Sequence, residues 1–187
     1  VLGEQSVKTL RGKEMADAFR TVRRNTIQIA EDIPDDKYGY QATPDMWTVA
    51  QELAHVAAAT WWHPKAHAVD KKTFISFEDF SHYMSKSAEI EKALTTKSQI
   101  VEALRKGGDD FALFLDALTP EQLAETVSFP PPVQPSSRTR FEMLLGVKEH
   151  EMHHRAKLMV IERLLGMIPH LTRIRQQRMS AAEAAGR

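Results

Sequence analysis

The chain of 187 residues carries 25 basic and 25 acidic side chains, and it has no cysteine. Zero net charge argues against a dedicated nucleic-acid binder, and the lack of cysteine excludes disulfide frameworks, thiolate zinc sites and a cysteine nucleophile. With 42% hydrophobic residues the length suits one globular domain over 1–187, its core at about 13–170 and a loose tail after Met179.

No apolar stretch approaches the roughly 20 residues that span a bilayer, and the N-terminus lacks a signal-peptide pattern. The expectation is a cytoplasmic protein that engages neither membrane nor nucleic acid. Residues 1–12 are polar and without period. From about Glu14 to Ile33, the stripe Met15, Phe19, Val22, Thr26, Ile29, Ile33 has the spacing of a helix with one buried face. Pro34 stops it, and Pro34 to Trp47, with two tyrosines, a glycine and two prolines, reads as an ordered loop. Thr48 can cap a helix reaching about Val69, apolar on nearly every side and broken or kinked at Pro64.

Residues 70–96 are mixed, and predict a loop or short helix followed by one helix of uncertain limits. A further helix runs from about Ser98 to Leu118, with Gly107 and Gly108 weakening its middle by about 1 kcal/mol each. Thr119-Pro120 is a cap followed by proline at the first helical position. Phe129 to Ser137 holds four prolines and cannot be helix, though it can hold a small extended pair. The last major helix runs from about Thr139 to Gly166, where Gly166 and Pro169 end it. There is no internal repeat and no alternating run long enough for a sheet, so the pattern is an all-α bundle.

The histidines carry the chemistry. Met143, Val147, His150, His154, Leu158, Ile161 and Leu165 share one stripe of the last helix, so both imidazoles face the bundle interior. Two adjacent buried imidazoles are costly unless their nitrogens find partners, and a metal ion reached by both rings supplies one. His55 is the best third ligand, because it sits in the most apolar helix among Ala54, Ala58 and Ala59, which leave room for an ion. His63 and His67 flank Pro64 at a boundary expected to be exposed. His153 should face another side, and His82 and His170 give no signal.

Residues 150–154 read His-Glu-Met-His-His, which satisfies the His-Glu-x-x-His signature of zinc peptidases, with Glu151 as general base. The extended signature needs glycine at 157 and histidine at 160, where this chain has Lys157 and Val160. No sheet edge for a peptide is visible either. This is the weaker match.

The segment Asp45 to His55 (DMWTVAQELAH) resembles the second-helix motif of the DinB-like (YfiT-like) four-helix bundles. Glu149 to Arg155 (EHEMHHR) resembles their last-helix motif, and Ile33 to Pro44 (IPDDKYGYQATP) their loop before the tryptophan. The motifs stand about 95 residues apart, as in that family. The resemblance implies a four-helix bundle with a long connection and short extra helices, and a three-histidine metal site at His55, His150 and His154. Where family members follow the last histidine with Arg-Gly-Gln, this chain has Arg155-Ala156-Lys157, and a glutamine contact is lost. Trp47 fits the family pattern, while its plain reading is a core anchor at a helix start.

Three neutral ligands leave a coordination position open and favour nickel or zinc. By resemblance, the ion would bind and deprotonate an external low-molecular-weight thiol, which attacks an electrophile. The hydrolase version activates water, with Glu151 or Glu52 as base. A non-catalytic metal or small-ligand module for stress protection is the alternative. An enzyme needs a cavity leading to the ion, whereas a structural site is sealed by apolar side chains. The walls are expected around Trp61, Trp62 and Phe141, the partner is a small-molecule substrate, and assembly as a homodimer is compatible with this.

Overall fold

The computed structural model describes residues 11–186, so most of the polar opening at 1–12 lies outside the described residues. The long helices are α1 (Gly12–Asp32), α2 (Val49–Ala59), α4 (Phe77–Ala93), α5 (Lys97–Asp116), α7 (Arg140–Leu164) and α8 (His170–Ala185). Short turns α3 (Trp62–Pro64) and α6 (Pro120–Ala124) lie between them. Helices α1, α2, α5 and α7 pack against one another as a four-helix bundle, and α4 lies outside on α2.

One device starts five of these helices. Thr48, Ser76, Thr96, Thr119 and Thr139 each accept from the backbone N–H three residues on. The side chain at that third position, Gln51, Asp79, Gln99, Gln122 or Glu142, accepts in return from the capping residue's N–H. Two otherwise unpaired donors are satisfied at each start. Gly166 ends α7 with φ +77, a conformation that costs glycine little and other residues more.

The apolar stripes meet in two clusters. One gathers Ile29, Leu53, Val56, Ile100, Leu104 and Leu158; the other gathers Phe19, Phe111, Leu115, Leu144 and Val147. Each fully buried aliphatic side chain contributes about 1.5–3 kcal/mol relative to exposure. Between the helices runs the buried guanidinium of Arg23. Arg23 of α1 donates to both carboxylate oxygens of Glu151 on α7 at 3.0 Å, to Leu104 O of α5 at 2.9 Å and to Val56 O of α2 at 3.3 Å. A single side chain thus touches all four bundle helices.

Gly108 makes this possible. A Cβ there would lie 2.6 Å from Arg23 Cγ, so the glycine read as a weakness of α5 is the clearance for the arginine.

The second helix ends at Ala59, ahead of the break expected at Pro64, and Pro64 closes the short turn α3. The chain continues as one π turn, Lys65–Val69, closed by Asp70 N–H donating to Lys65 O at 2.8 Å. Strands β1 (Thr126–Ser128) and β2 (Ser137–Thr139) pair antiparallel around the proline-rich segment, and residues 73–75 hydrogen-bond to Ser128 alongside. The end differs from expectation. Helix α8 continues to Ala185 where a loose tail was read, since Ala181, Ala182, Ala184 and Ala185 are strong helix formers.

Candidate metal centre

The bundle brings His55 from α2 together with His150 and His154 from α7, with one ligand atom of each within 4.8 Å of the others. The helical repeat explains the pair: residues four apart share a face. His150 Nε2 lies 3.1 Å from His55 Nε2 and 3.0 Å from His154 Nε2. The other nitrogen of each flanking ring is held by an acid. His55 Nδ1 is 2.8 Å from Glu91 Oε1, and His154 Nδ1 is 2.9 Å from Glu52 Oε1.

Proton accounting follows from these partners. A carboxylate only accepts, so both Nδ1 atoms carry the proton and both flanking Nε2 atoms present lone pairs. His150 Nε2 has at most one proton to give and two lone pairs to meet. A cation at the meeting point satisfies all three nitrogens at once. The donor set therefore fits a divalent ion with three imidazole ligands, the two flanking ones buttressed as metal-ligating histidines are. Burial and the neighbouring His154 and His55 push His150 down to about 4, so its ring is neutral and able to ligate at ordinary pH.

The supporting groups are themselves tied. Burial opposes the charge on Glu52, but His154 and Lys157 outweigh it and hold its pKa below the usual carboxylate value. Lys157 Nζ sits 2.5 Å from Glu52 Oε1, so the residue that replaces the expected glutamine makes a contact of its own. Trp47 is not a core anchor. It is 45% exposed and covers the imidazoles, stacked on His154 at 6.2 Å between ring centroids and edge-on to His55 at 5.0 Å. The loop before α2 turns it over the site.

Other expectations are corrected. Glu151, the base of the peptidase reading, is 2% exposed and bound to Arg23, away from the imidazole meeting point. A position one residue round the helix from His150 points to the bundle interior beside α1. His63 and His67 are buried, His63 at 6.0 Å between ring centroids from Phe111 of α5 and His67 against Arg140 of α7. His67 Nδ1 accepts from Arg140 at 2.5 Å, a cation that discourages a metal there. His153 and His82 are exposed, while His170 is buried with its Nε2 3.2 Å from Asn25 Oδ1. Glu91 was not singled out by the sequence, and nothing in its mixed, charged surroundings marks it.

A cavity of about 590 Å³ reaches His55, His150 and Glu91 from one side. Its walls are mostly apolar, with Ile75, Phe77 and Phe80 facing Phe129, Val133 and Met143. Trp62 lines it as expected; Trp61 and Phe141 do not, Phe141 packing against the second core cluster instead.

A four-helix bundle holding three convergent imidazoles, two of them buttressed by acids, beside an open cleft defines a class of candidate metal-dependent proteins. The family model described as DinB superfamily matches residues 18–158, and the chain belongs to that superfamily. Two solved structures from Bacillus subtilis share the fold. YfiT, described as "a probable metal-dependent hydrolase with an unusual four-helix bundle topology", aligns with a TM-score of 0.64 at 17% identity, over 89% of this chain and 94% of its own. The DinB-like protein YjoA aligns with a TM-score of 0.60 at 20% identity, over 82% of this chain and 92% of its own. A search of curated protein sequences finds no match. Among the described residues, no helix is long and apolar enough to cross a membrane.

Proposed function

We propose that this protein is a metal-dependent enzyme that transfers an external low-molecular-weight thiol to an electrophile bound in the cleft. The observation that carries this reading is the cavity of about 590 Å³ opening on His55 and His150. A purely structural ion would be sealed by apolar side chains, whereas a cleft of this size admits a small molecule. The description of YfiT as a probable metal-dependent hydrolase supports metal chemistry at this site.

When bound, a nickel or zinc ion would supply the Lewis acidity that ionises the nucleophile. His55, His150 and His154 hold it, and Glu91 and Glu52 fix the two flanking rings. Glu91 also lines the cleft and is the carboxylate placed to accept the thiol proton and pass it to solvent. The sulfur then bonds to the electrophilic carbon and the leaving group departs with the electron pair.

Two features favour a thiol over water as the nucleophile. The apolar walls disfavour water, and the chain has no cysteine to compete for the electrophile. Glu151 is bound to Arg23 and does not line the cleft, so the base of the peptidase reading is not at the site.

The test is an assay of untagged protein, loaded with zinc or nickel, on a panel of low-molecular-weight thiols with 1-chloro-2,4-dinitrobenzene, run beside p-nitrophenyl acetate hydrolysis. Thiol consumption that needs the ion and is lost in His154→Ala supports the transferase. Ester hydrolysis alone, with the same dependence, replaces it with the hydrolase. Rates indifferent to the ion overturn both.

A further inference from the structure

The cleft has polar groups in its wall that the fold leaves unmet. Ser87 on α4 and His63 on α3 both line it, and both are more than nine-tenths buried. Among the described residues, neither Ser87 Oγ nor His63 Nδ1 has a hydrogen-bond partner, and both atoms are closed off from solvent just behind the cleft surface. A buried hydroxyl or imidazole nitrogen left without a partner costs about 1–3 kcal/mol, so such groups usually await something. Neither belongs to the metal centre or to its buttresses.

The surroundings limit what that something is. His63 has no acid beside it, and burial pushes its pKa well below the ordinary value, so the ring is neutral. Of the residues lining the cleft, two carry formal charge: Glu91, engaged by His55, and Arg138, exposed at the rim. An anionic group deep in such a cleft, away from the ion, would be buried without a counter-charge. The remaining wall is aromatic and aliphatic, with Trp62 tilted against His63 at 3.7 Å between centroids and Phe80 edge-on to Trp62 at 6.4 Å. A serine hydroxyl rotates among three staggered positions, so Ser87 can present Oγ to an occupant of the cleft.

We infer that the cleft selects an uncharged, largely apolar substrate, aromatic in its body, that carries one neutral hydrogen-bonding group, a hydroxyl or amide, for Ser87 and His63. This rests on the cleft being the substrate side of the proposed enzyme. Ser87 and His63 are then specificity-determining residues. The aromatic body lies against Trp62 and Phe80, and the neutral polar group satisfies the wall. A substrate that lacks the group leaves Ser87 and His63 unmet, and this asymmetry is what gives hydrogen-bonding pockets their discrimination.

The test uses naphthalene, 2-naphthol and 2-naphthoate as probes, titrated by ligand-observed NMR into ion-free and zinc-loaded protein. In the ion-free protein, 2-naphthol is expected to bind about fivefold or more tightly than naphthalene, with 2-naphthoate weakest. Ser87→Ala and His63→Leu should each remove that preference while naphthalene binds as before. Ser87→Ala changes one atom of a side chain without partners, so it decides the matter even if His63→Leu fails to fold. Equal binding of naphthalene and 2-naphthol, or a preference for 2-naphthoate without zinc, overturns the inference. The ion-free titration reads the cleft alone, and a zinc titration of the same sample reads the metal centre, so the failure of one is separable from the failure of the other.

Discussion

Glu52 Oε1 accepts from His154 Nδ1 at 2.9 Å, which makes a carboxylate on α2 the fixture for an imidazole on α7. Glu52→Gln keeps the shape and removes the charge that holds the ring's Nδ1–H in place. Groups in this position are typically worth 10–100-fold in metal affinity. Competition of zinc against a chromophoric chelator should show a loss of about that size, with the helical circular dichroism retained. Wild-type affinity in the variant would mean that Glu52 serves Lys157 alone.

Glu151→Gln separates structure from chemistry in the His-Glu-Met-His-His segment. Its partner Arg23 would be left as a buried charge without its counter-ion, a change that costs about 3–5 kcal/mol. Chemical denaturation should show that loss, while the folded fraction keeps its metal content. A variant of full stability that loses turnover would restore Glu151 as a general base.

Gly108→Ala pits two effects against each other. Alanine is favoured over glycine inside a helix by about 1 kcal/mol, yet its Cβ would stand 2.6 Å from Arg23 Cγ. Arg23 is held by three helices and has little freedom to yield, so the clash should win by roughly 1–3 kcal/mol. A thermal melt should show a lower Tm for Gly108→Ala; a higher Tm would show that Arg23 yields without losing its partners.

Glu162 predicts a pH dependence. It is fully buried, neither carboxylate oxygen has a partner, and burial with Asp32 nearby raises its pKa from 4.5 to about 7. Below about 4.5 both folded and unfolded chains hold the proton. Between 4.5 and 7 the unfolded chain gives it up first, so stability falls as pH rises, by up to about 3 kcal/mol, and levels off above 7. Glu162→Gln removes the titration. Denaturation midpoints from pH 4 to 8 should therefore decline more steeply in the wild type than in the variant, and parallel curves would refute the assignment.

Much of this was legible in the sequence because it is periodic. The stripe from Met143 to Leu165 places His150 and His154 on one buried face, and Thr48, Thr119 and Pro64 mark helix limits close to where they occur. His55 followed from its alanine neighbours and from the family motif. What stayed hidden depends on contacts between distant elements. Nothing local tells that Glu91 would meet His55 from a helix 36 residues away, or that Glu151 would find Arg23 across 128 residues. Trp47 misled for the same reason: its position before a capped helix suits a core anchor, and only the path of the loop turns it onto the histidines. His67 lies in the π turn after Pro64, which leaves no periodic trace, and the burial of His63 comes from contact with Phe111 of a distant helix.

His55 and His150 stand 95 residues apart, and α4, α5 and the hairpin all lie on the chain between them. An ion shared by the two would therefore act as a staple as well as a reactive centre. It would close a ring of chain whose ends the unfolded state keeps far apart, and the entropy of closure grows with ring size. Such an ion binds the folded protein far better than the unfolded one, so its concentration sets how often the bundle opens. Scarcity of metal would then be felt first as faster turnover of the protein by proteases, before any activity is measured.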